Sequence, residues 1–585
     1  MRKLVRVNMT EKTVRVEELP EKYRFRGGRW LTSTLVADEV PPTCHPLGPN
    51  NRLVFAPGIV TGTAAPSSGR ISVGGKSPLT GGIKEANAGT PVAQSLARMG
   101  IAAVVVEGEP REKRAFFILR LNKDGGELEP AGDLAGLGLY EFAARARQRF
   151  GEAGFVVTGP CGEQRMAMAG VCFNDGEFRP SRYAGRGGLG AVMGAKGLKA
   201  IVVDDAGAPG VALANEDLFH TGRKKLTDAL REHAVTKPGG ALNSFGTAVL
   251  INILNEAGGL PTRNFSAGRF EGAGKIAGET IAETIGQRGG QGKTGHGCHP
   301  GCVIQCSNIW SRPDGSEHVS CLEYESVWAL GANCGIDDLD AIAELIWVCN
   351  DSGLDTIEAG VTLAVAMEAG LIPFGNGRAA IDLLRECARG TPLGRILGNG
   401  AAFTGRAFGV TRVPVAKGQG MPAYEPRAVK GIGVTYLTSP MGADHTAGYT
   451  IAPEILSVGG KADPLLAEGK VEISANLQAA TAFVDSTGYC LFIAFAILDI
   501  PSGFEGVVET CNGVLGTTWS TADAAATGAQ IVLEERRFNQ EAGLTRAHDR
   551  PPEFMRYELL PPHNRVYDVP DEELDRVAVL LEKSR

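Results

Sequence analysis

Cys298, Cys302 and Cys306 fall within nine residues, in Gly297-Cys298-His299-Pro300-Gly301-Cys302-Val303-Ile304-Gln305-Cys306. Three thiolates on so short a loop, flanked by Gly and Pro, can wrap three corners of a cuboidal iron–sulfur cluster, which then needs a fourth thiolate from elsewhere. The same spacing suits zinc, with His296, His299 or a distant cysteine completing a tetrahedral set. The remaining cysteines singled out by position, Cys44, Cys161, Cys172, Cys321, Cys334, Cys349, Cys387 and Cys511, read as small buried hydrophobes. Twelve cysteines in 585 residues are too sparse for a disulfide framework, so a reducing compartment is expected.

Two glycine motifs lead nowhere. Gly185-Arg186-Gly187-Gly188-Leu189-Gly190 has the letters of a dinucleotide fingerprint, but the residues before it, Asn174 to Ser181, read as a polar turn and not as the strand that such a site needs. Gly74-Gly75-Lys76-Ser77 resembles the end of a phosphate loop, yet Arg70 stands where that loop needs its first glycine.

The elements that must position the cysteines change character along the chain. Up to about residue 206, short β-rich runs alternate with turns: Lys3–Val7, Val14–Glu18, Arg52–Ala56, Arg70–Gly74, Ala102–Glu107, Ala115–Leu121 and Ala200–Asp204. From Ala212 the apolar period becomes helical. After Asp337-Asp338, the residues Leu339, Ile342, Leu345, Ile346 and Cys349 share one face, and Gly353 closes the helix. The next helix opens at Asp355, with Glu358 three residues on as a capping-box variant, and runs apolar to Leu371. The expected fold is α+β: a mainly β domain over 1–206, then two largely helical domains over 207–412 and 413–585. No repeat appears at solenoid or propeller periods. A net charge of −7 gives no basic footprint for nucleic acid. The N-terminus carries no signal-peptide pattern. The longest apolar run, Cys490 to Leu498, is far short of a membrane span and reads as buried core. A cytoplasmic protein, off the membrane, is expected.

Several motifs, spread over most of the chain, together resemble the tungsten-dependent aldehyde:ferredoxin oxidoreductase family. They are Arg70 with Lys76-Ser77-Pro78-Leu79-Thr80-Gly81 and Ala86-Asn87-Ala88-Gly89; Arg182-Tyr183-Ala184-Gly185 running on to Met193-Gly194; Glu323-Tyr324-Glu325 and Gly353-Leu354-Asp355; Met421-Pro422-Ala423-Tyr424-Glu425-Pro426-Arg427; Ala443-Asp444-His445; and Asp485-Ser486-Thr487-Gly488-Tyr489-Cys490. The resemblance implies a tungsten, or molybdenum, held by two pyranopterins whose phosphates share a Mg2+, with a [4Fe-4S] cluster beside it whose fourth thiolate is Cys490. It places Arg70, Asn87, Gly89, Arg182, Ala184, Gly185, Asn350, Leu354, Asp355, Asp485, Tyr489 and Leu491 around the pterins. Arg70 and Arg182 would offer fork-shaped donors, Asn87 and Ala184 backbone carbonyls near the Mg2+, and Asp355 and Asp485 acceptors for ring N–H groups.

The implied reaction is oxidation of an aldehyde with water to a carboxylic acid, or the reverse, with electrons passing through the cluster to ferredoxin. Glu325 and His445 match the family's acid–base positions. Three features depart from the pattern: three residues, not two, separate Cys298 from Cys302; Asn350 stands where a carboxylate is usual, with Asp351 one position on; and no histidine lies between His318 and His445 to build an intersubunit iron site. A homodimer is compatible with this reading but does not rest on that site. The alternatives are a catalytic subunit resembling class II benzoyl-CoA reductase and a non-catalytic metallocofactor-binding protein.

Overall fold

The structure is a computed structural model and describes residues 2–584. Its first third builds two six-stranded sheets. The first contains β1 (Lys3–Asn8), β2 (Thr13–Glu18), β3 (Leu53–Pro57), β4 (Arg70–Lys76), β5 (Ile83–Gly89) and β6 (Ile101–Glu107), in the order β2-β1-β6-β3-β4-β5. The second contains β7 (Phe117–Asn122), β8 (Gly125–Pro130), β9 (Gly154–Thr158), β10 (Val171–Asn174), β11 (Pro180–Ala184) and β12 (Leu198–Val203), in the order β8-β7-β12-β9-β10-β11.

Strand for strand, the two orders are the same. Each sheet has one parallel pair, β1 with β6 and β7 with β12, and its other pairs are antiparallel. A helix follows the first hairpin in each, Gly28–Glu39 and Leu139–Phe150, and another precedes the last strand, Pro91–Arg98 and Leu189–Ala195. The domain is therefore a tandem duplication. Its offset shrinks along the chain, from Lys3 against Phe117 to Ile101 against Leu198, so no fixed period marks it in the sequence.

Both sheets are covered on both faces. Val5, Phe55 and Val104 of the first share one core with Leu119, Val156 and Ile201 of the second, around helices Pro91–Arg98 and Leu189–Ala195. On the outer faces, Leu31 and Leu35 pack over Val54 and Val105, and Leu139 and Phe142 over Phe155 and Val202. β9 and β10 are short, mostly apolar runs without alternation, and β5 and β11 bury polar side chains such as Lys84, Glu85, Ser181 and Arg182, so none of the four shows the pattern of a half-exposed strand.

One difference concerns the Gly185–Gly190 stretch. The turn before it spans only Asp175 to Arg179, where the Asp175 carboxylate accepts from the N–H groups of Glu177 and Arg179 and closes the reversal quickly. β11 then begins at Pro180 and runs into the glycines, so a strand does precede them. It is an antiparallel edge strand, outside any βαβ unit, and the glycines serve packing. A Cβ on Gly190 would lie 2.1 Å from the Gly170 carbonyl oxygen, and one on Gly194 1.9 Å from that of Gly162.

The rest of the chain is largely helical, around a core that runs through residues of both helical segments. Helix Leu339–Ser352 is capped by Asp338, whose carboxylate accepts from Asp340 and Ala341 N–H, and ends at Gly353 with φ of 78°. Helix Thr356–Glu368 is capped by Asp355. Glu358 is not a capping-box partner: it is buried, and its carboxylate accepts from Ala401 and Gly420 N–H. The run from Cys490 to Leu498 is only partly buried, because Leu491 and Phe492 border the main cavity and Ile497 and Leu498 a narrow apolar one. Among the described residues no helix is long and apolar enough to cross a membrane.

Candidate active site

The two sheets and the helical half meet at a cavity of about 360 Å³. The ends of equivalent strands reach it from the two halves of the duplication: Asn87 to Gly89 at the end of β5, and Arg182 to Gly185 at the end of β11. The wall facing them carries Asn350, Leu354, Asp355, Glu325 and His445. Cys298, Cys302, Cys306 and Cys490 border the same space, although Cys490 lies far along the chain from the other three.

The cysteine loop joins strands Lys293–His296 and Ser307–Ser311, and the backbone N–H of Cys490 donates to Ser67 O at 2.8 Å, which ties Cys490 to the loop between β3 and β4. Ligand-capable atoms of Cys298, His299 and Cys302 lie within 4.8 Å of one another. Both ring nitrogens of His299 are nevertheless engaged, Nε2 by Gly69 N–H at 3.3 Å and Nδ1 with Pro300 O at 2.9 Å. A side chain on Gly69 would drive into this ring, its Cβ 2.4 Å from the imidazole Cγ. His299 thus serves better as a brace for the loop than as a metal ligand, while the four thiols and His296 border the cavity.

Arg70 opens β4 and its Nε donates to Asn87 Oδ1 at 2.5 Å. Arg182 donates to Ser307 Oγ at 3.1 Å, and its Nε has no partner. Asn350 donates to Ser320 O, while Asp351 turns away and accepts from Tyr140 N–H. Asp355 holds its own helix start through Ile357 N–H and takes Arg186 Nε on its other oxygen at 3.3 Å. Ala184 and Tyr489 do not border the main cavity: Ala184 is fully buried in β11, and the Tyr489 hydroxyl pairs with Thr510. Asp485 borders a smaller adjoining cavity, where burial and the neighbouring Glu85 push its pKa up to about 8 despite Arg29 at 3.3 Å.

Glu325 stands in the first turn of helix Tyr324–Leu330. Its Oε2 accepts from Ala423 N–H at 3.0 Å, and its Oε1 lies 3.4 Å from His445 Nε2 without a hydrogen-bond partner. Burial pushes its pKa up to about 8, against the Ala423 N–H, which favours the charged form. His445 follows the capping residue Asp444 and is ringed by Tyr424 and Tyr449, whose hydroxyls meet at 2.8 Å. Burial drives its pKa down to about 4. Near neutrality both groups are therefore mainly uncharged, an acid and an imidazole facing one cavity.

Sequence reasoning did not single out Arg186, the buried Lys84–Asp444 pair at 2.8 Å, or the two tyrosines. Burial opposes the Asp444 charge, but Lys84 and Arg186 outweigh it and hold the carboxyl well below its ordinary range. Arg186 donates to Ala443 O and Gly420 O as well as Asp355, joining three segments of the wall. It sat in plain view inside the glycine motif.

Two family models match the chain: aldehyde ferredoxin oxidoreductase, N-terminal domain, over residues 4–205, and aldehyde ferredoxin oxidoreductase, domains 2 & 3, over residues 222–578. The chain is 36% identical over 567 residues to the tungsten-containing aldehyde ferredoxin oxidoreductase of Pyrococcus furiosus, spanning 94% of this chain and 90% of that protein. It is 36% identical over 572 residues to the protein of the same description from Thermococcus kodakarensis, with the same coverage. Among solved structures it resembles the active site complex BamBC of benzoyl coenzyme A reductase with 1,5 dienoyl-CoA, at a TM-score of 0.79 and 18% identity, over 100% of this chain and 94% of that one.

Proposed function

Since the chain belongs to the aldehyde ferredoxin oxidoreductase family, we propose that it interconverts an aldehyde and a carboxylic acid at a tungsten, or molybdenum, bis-pyranopterin, with electrons passing through a [4Fe-4S] cluster to ferredoxin. The observation that carries this reading is the cavity itself, where four thiols, two matching strand ends and the Glu325–His445 pair border one space.

The residues present fit such groups. Arg182 Nε, Glu325 Oε1, His445 Nδ1 and His296 Nε2 are buried polar atoms without partners, all on residues that border the cavity. A Cβ on Gly89 would lie 2.8 Å from Cys298 Sγ and 3.0 Å from Arg70 Nη1, so the end of β5 is kept bare where backbone must approach the thiols. In this reading Cys298, Cys302, Cys306 and Cys490 hold the cluster. Arg70, Asn87, Gly89, Arg182, Ala184, Gly185, Asn350, Leu354, Asp355, Asp485, Tyr489 and Leu491 would form the pterin bed, with Ala184 and Tyr489 acting through backbone or from behind, and a Mg2+ would balance the charge of the pterin phosphates. When bound, the metal–pterin supplies two-electron redox chemistry and the cluster one-electron relay.

The chain's own task is orientation and proton handling. His445, neutral and caged by tyrosines, donates a hydrogen bond from one ring nitrogen to the substrate's carbonyl oxygen. Glu325 takes a proton at Oε1 from water or the hydrated aldehyde in the oxidative direction and returns it in the reductive one. A pKa near 8 suits it to both, since acid and base forms are each populated around neutrality. The likeness to benzoyl-CoA reductase, at 18% identity, concerns the fold and adds nothing for an aromatic thioester.

The test is metal analysis of anaerobically prepared protein from a host supplied with tungstate and molybdate, followed by aldehyde-dependent reduction of a viologen dye. About one tungsten or molybdenum and four irons per chain, with dye reduction, supports the proposal. Zinc in their place, in a host that loads a control relative, refutes it.

A further inference from the structure

Behind the cysteine loop the chain forms a second groove, of about 630 Å³. One wall is the loop itself at Pro300, Gly301 and Val303; the other is helix Glu216–Glu232, which contributes Arg223, Lys224 and Arg231. Pro300 and Gly301 are exposed, so the segment between Cys298 and Cys302 reaches solvent here, while the opposite side of the same loop borders the main cavity. The groove keeps its positive charge. Lys224 pairs with Asp228 at 2.5 Å, but Arg223 and Arg231 form no ion pair among the described residues. On a chain of net charge −7 this patch runs against the overall sign.

Resting on the reading of the four cysteines as cluster ligands, we propose that this groove docks an acidic, one-electron iron–sulfur carrier protein. Arg223 and Arg231 meet the carrier's carboxylates, and the Pro300-Gly301 edge is where electrons leave. Oxidation of one aldehyde with water to the acid releases two electrons and two protons. Each docked carrier is reduced by one electron, so two dockings clear one turnover. Two acidic proteins repel at long range, and a local cationic patch then selects the one orientation in which they attract.

The test uses holoprotein and, as probe, an acidic single-cluster ferredoxin, with binding measured by calorimetry from 0.01 to 1 M salt, over which the Debye length falls from about 30 to 3 Å. Arg223→Glu combined with Arg231→Glu is expected to weaken binding at least tenfold at low salt, each single change at least threefold. Arg15→Glu, on the edge strand β2 outside the groove, makes the same change in charge and should leave binding within twofold. Dye-linked aldehyde oxidation and iron content should match wild type in all variants. Ferredoxin binding that is absent in wild type, insensitive to salt, or unchanged in the double variant overturns the docking assignment. Dye-linked activity absent from the wild type itself speaks against the proposed reaction instead, and the binding result still decides the groove.

Discussion

Glu325→Gln separates catalysis from stability with opposite signs. Burial holds the Glu325 carboxyl at about 8, against 4.5 for an ordinary glutamate. Between those values the folded chain keeps a proton that the unfolded chain has released, so stability falls by about 1.4 kcal/mol per pH unit from 4.5 upward, until the loss is complete near pH 8. The group thus costs about 3 kcal/mol at pH 7 and about 4 at pH 8. The amide keeps an oxygen for Ala423 N–H and never ionises, so it removes this cost. With about 2.1 cal/mol/K per residue of unfolding entropy, Tm should rise by about 3 °C at pH 7 and by less than about 1 °C at pH 5. Turnover should fall by about 10²–10⁴, the worth of a positioned acid–base group, or about 3–5 kcal/mol of barrier. The assays are viologen-linked aldehyde oxidation with metal content checked, and calorimetric Tm at both pH values. Wild-type turnover, or a Tm difference that does not grow with pH, would refute the argument.

In wild type, the oxidation rate should rise with pH along a limb centred near 8, and the reverse reaction should fall through the same value; a profile that is flat from pH 6 to 9 contradicts Glu325 as the proton carrier. No second limb should appear between pH 5 and 7, because His445 is held at about 4 and is already neutral there. Cys302→Ser should lose the four irons, as measured by metal analysis, and with them dye reduction; retained iron would remove Cys302 from the ligand set. Glu535→Gln should lower Tm by about 2–4 °C, since Glu535 grips buried Arg29 through two bonds of 2.9 and 2.7 Å, and breaking such a pair costs about 3–5 kcal/mol. An unchanged Tm would show that Arg29 finds another partner.

What could be read from the sequence was local. Asp338, Gly353 and Asp355 act within a few residues of themselves, so their capping roles follow from type and position. The three clustered cysteines are legible for the same reason, whereas Cys490 entered only through the family resemblance, as no spacing connects it to Cys306. Glu358 was misjudged because its partners, Ala401 and Gly420, are brought to it by packing and outcompete the local cap. The Arg29–Glu535 clamp spans 506 positions and leaves no local trace. Most strands of the two sheets are legible as β-rich runs, whereas β5 and β11 are not, because the buried Lys84, Glu85 and Arg182 are paired or faced by groups from distant segments.

The duplication has a consequence for how the cavity can specialise. Had the same cradle been assembled from two separate copies of one half-length chain, its two sides would be constrained to carry the same residues. Joined in tandem, they are released from that constraint. Where β4 opens with Arg70 at the cavity, the equivalent strand β10 opens with Val171, buried in the sheet core. Where β5 ends in Asn87 and a bare Gly89 beside Cys298, β11 carries Arg182, ends at Ala184 and hands on to Arg186, which reaches across to the helical wall. A covalent link between like halves lets one side lie bare against Cys298 while the other sends Arg186 to the helical wall, a polarity that strict symmetry forbids.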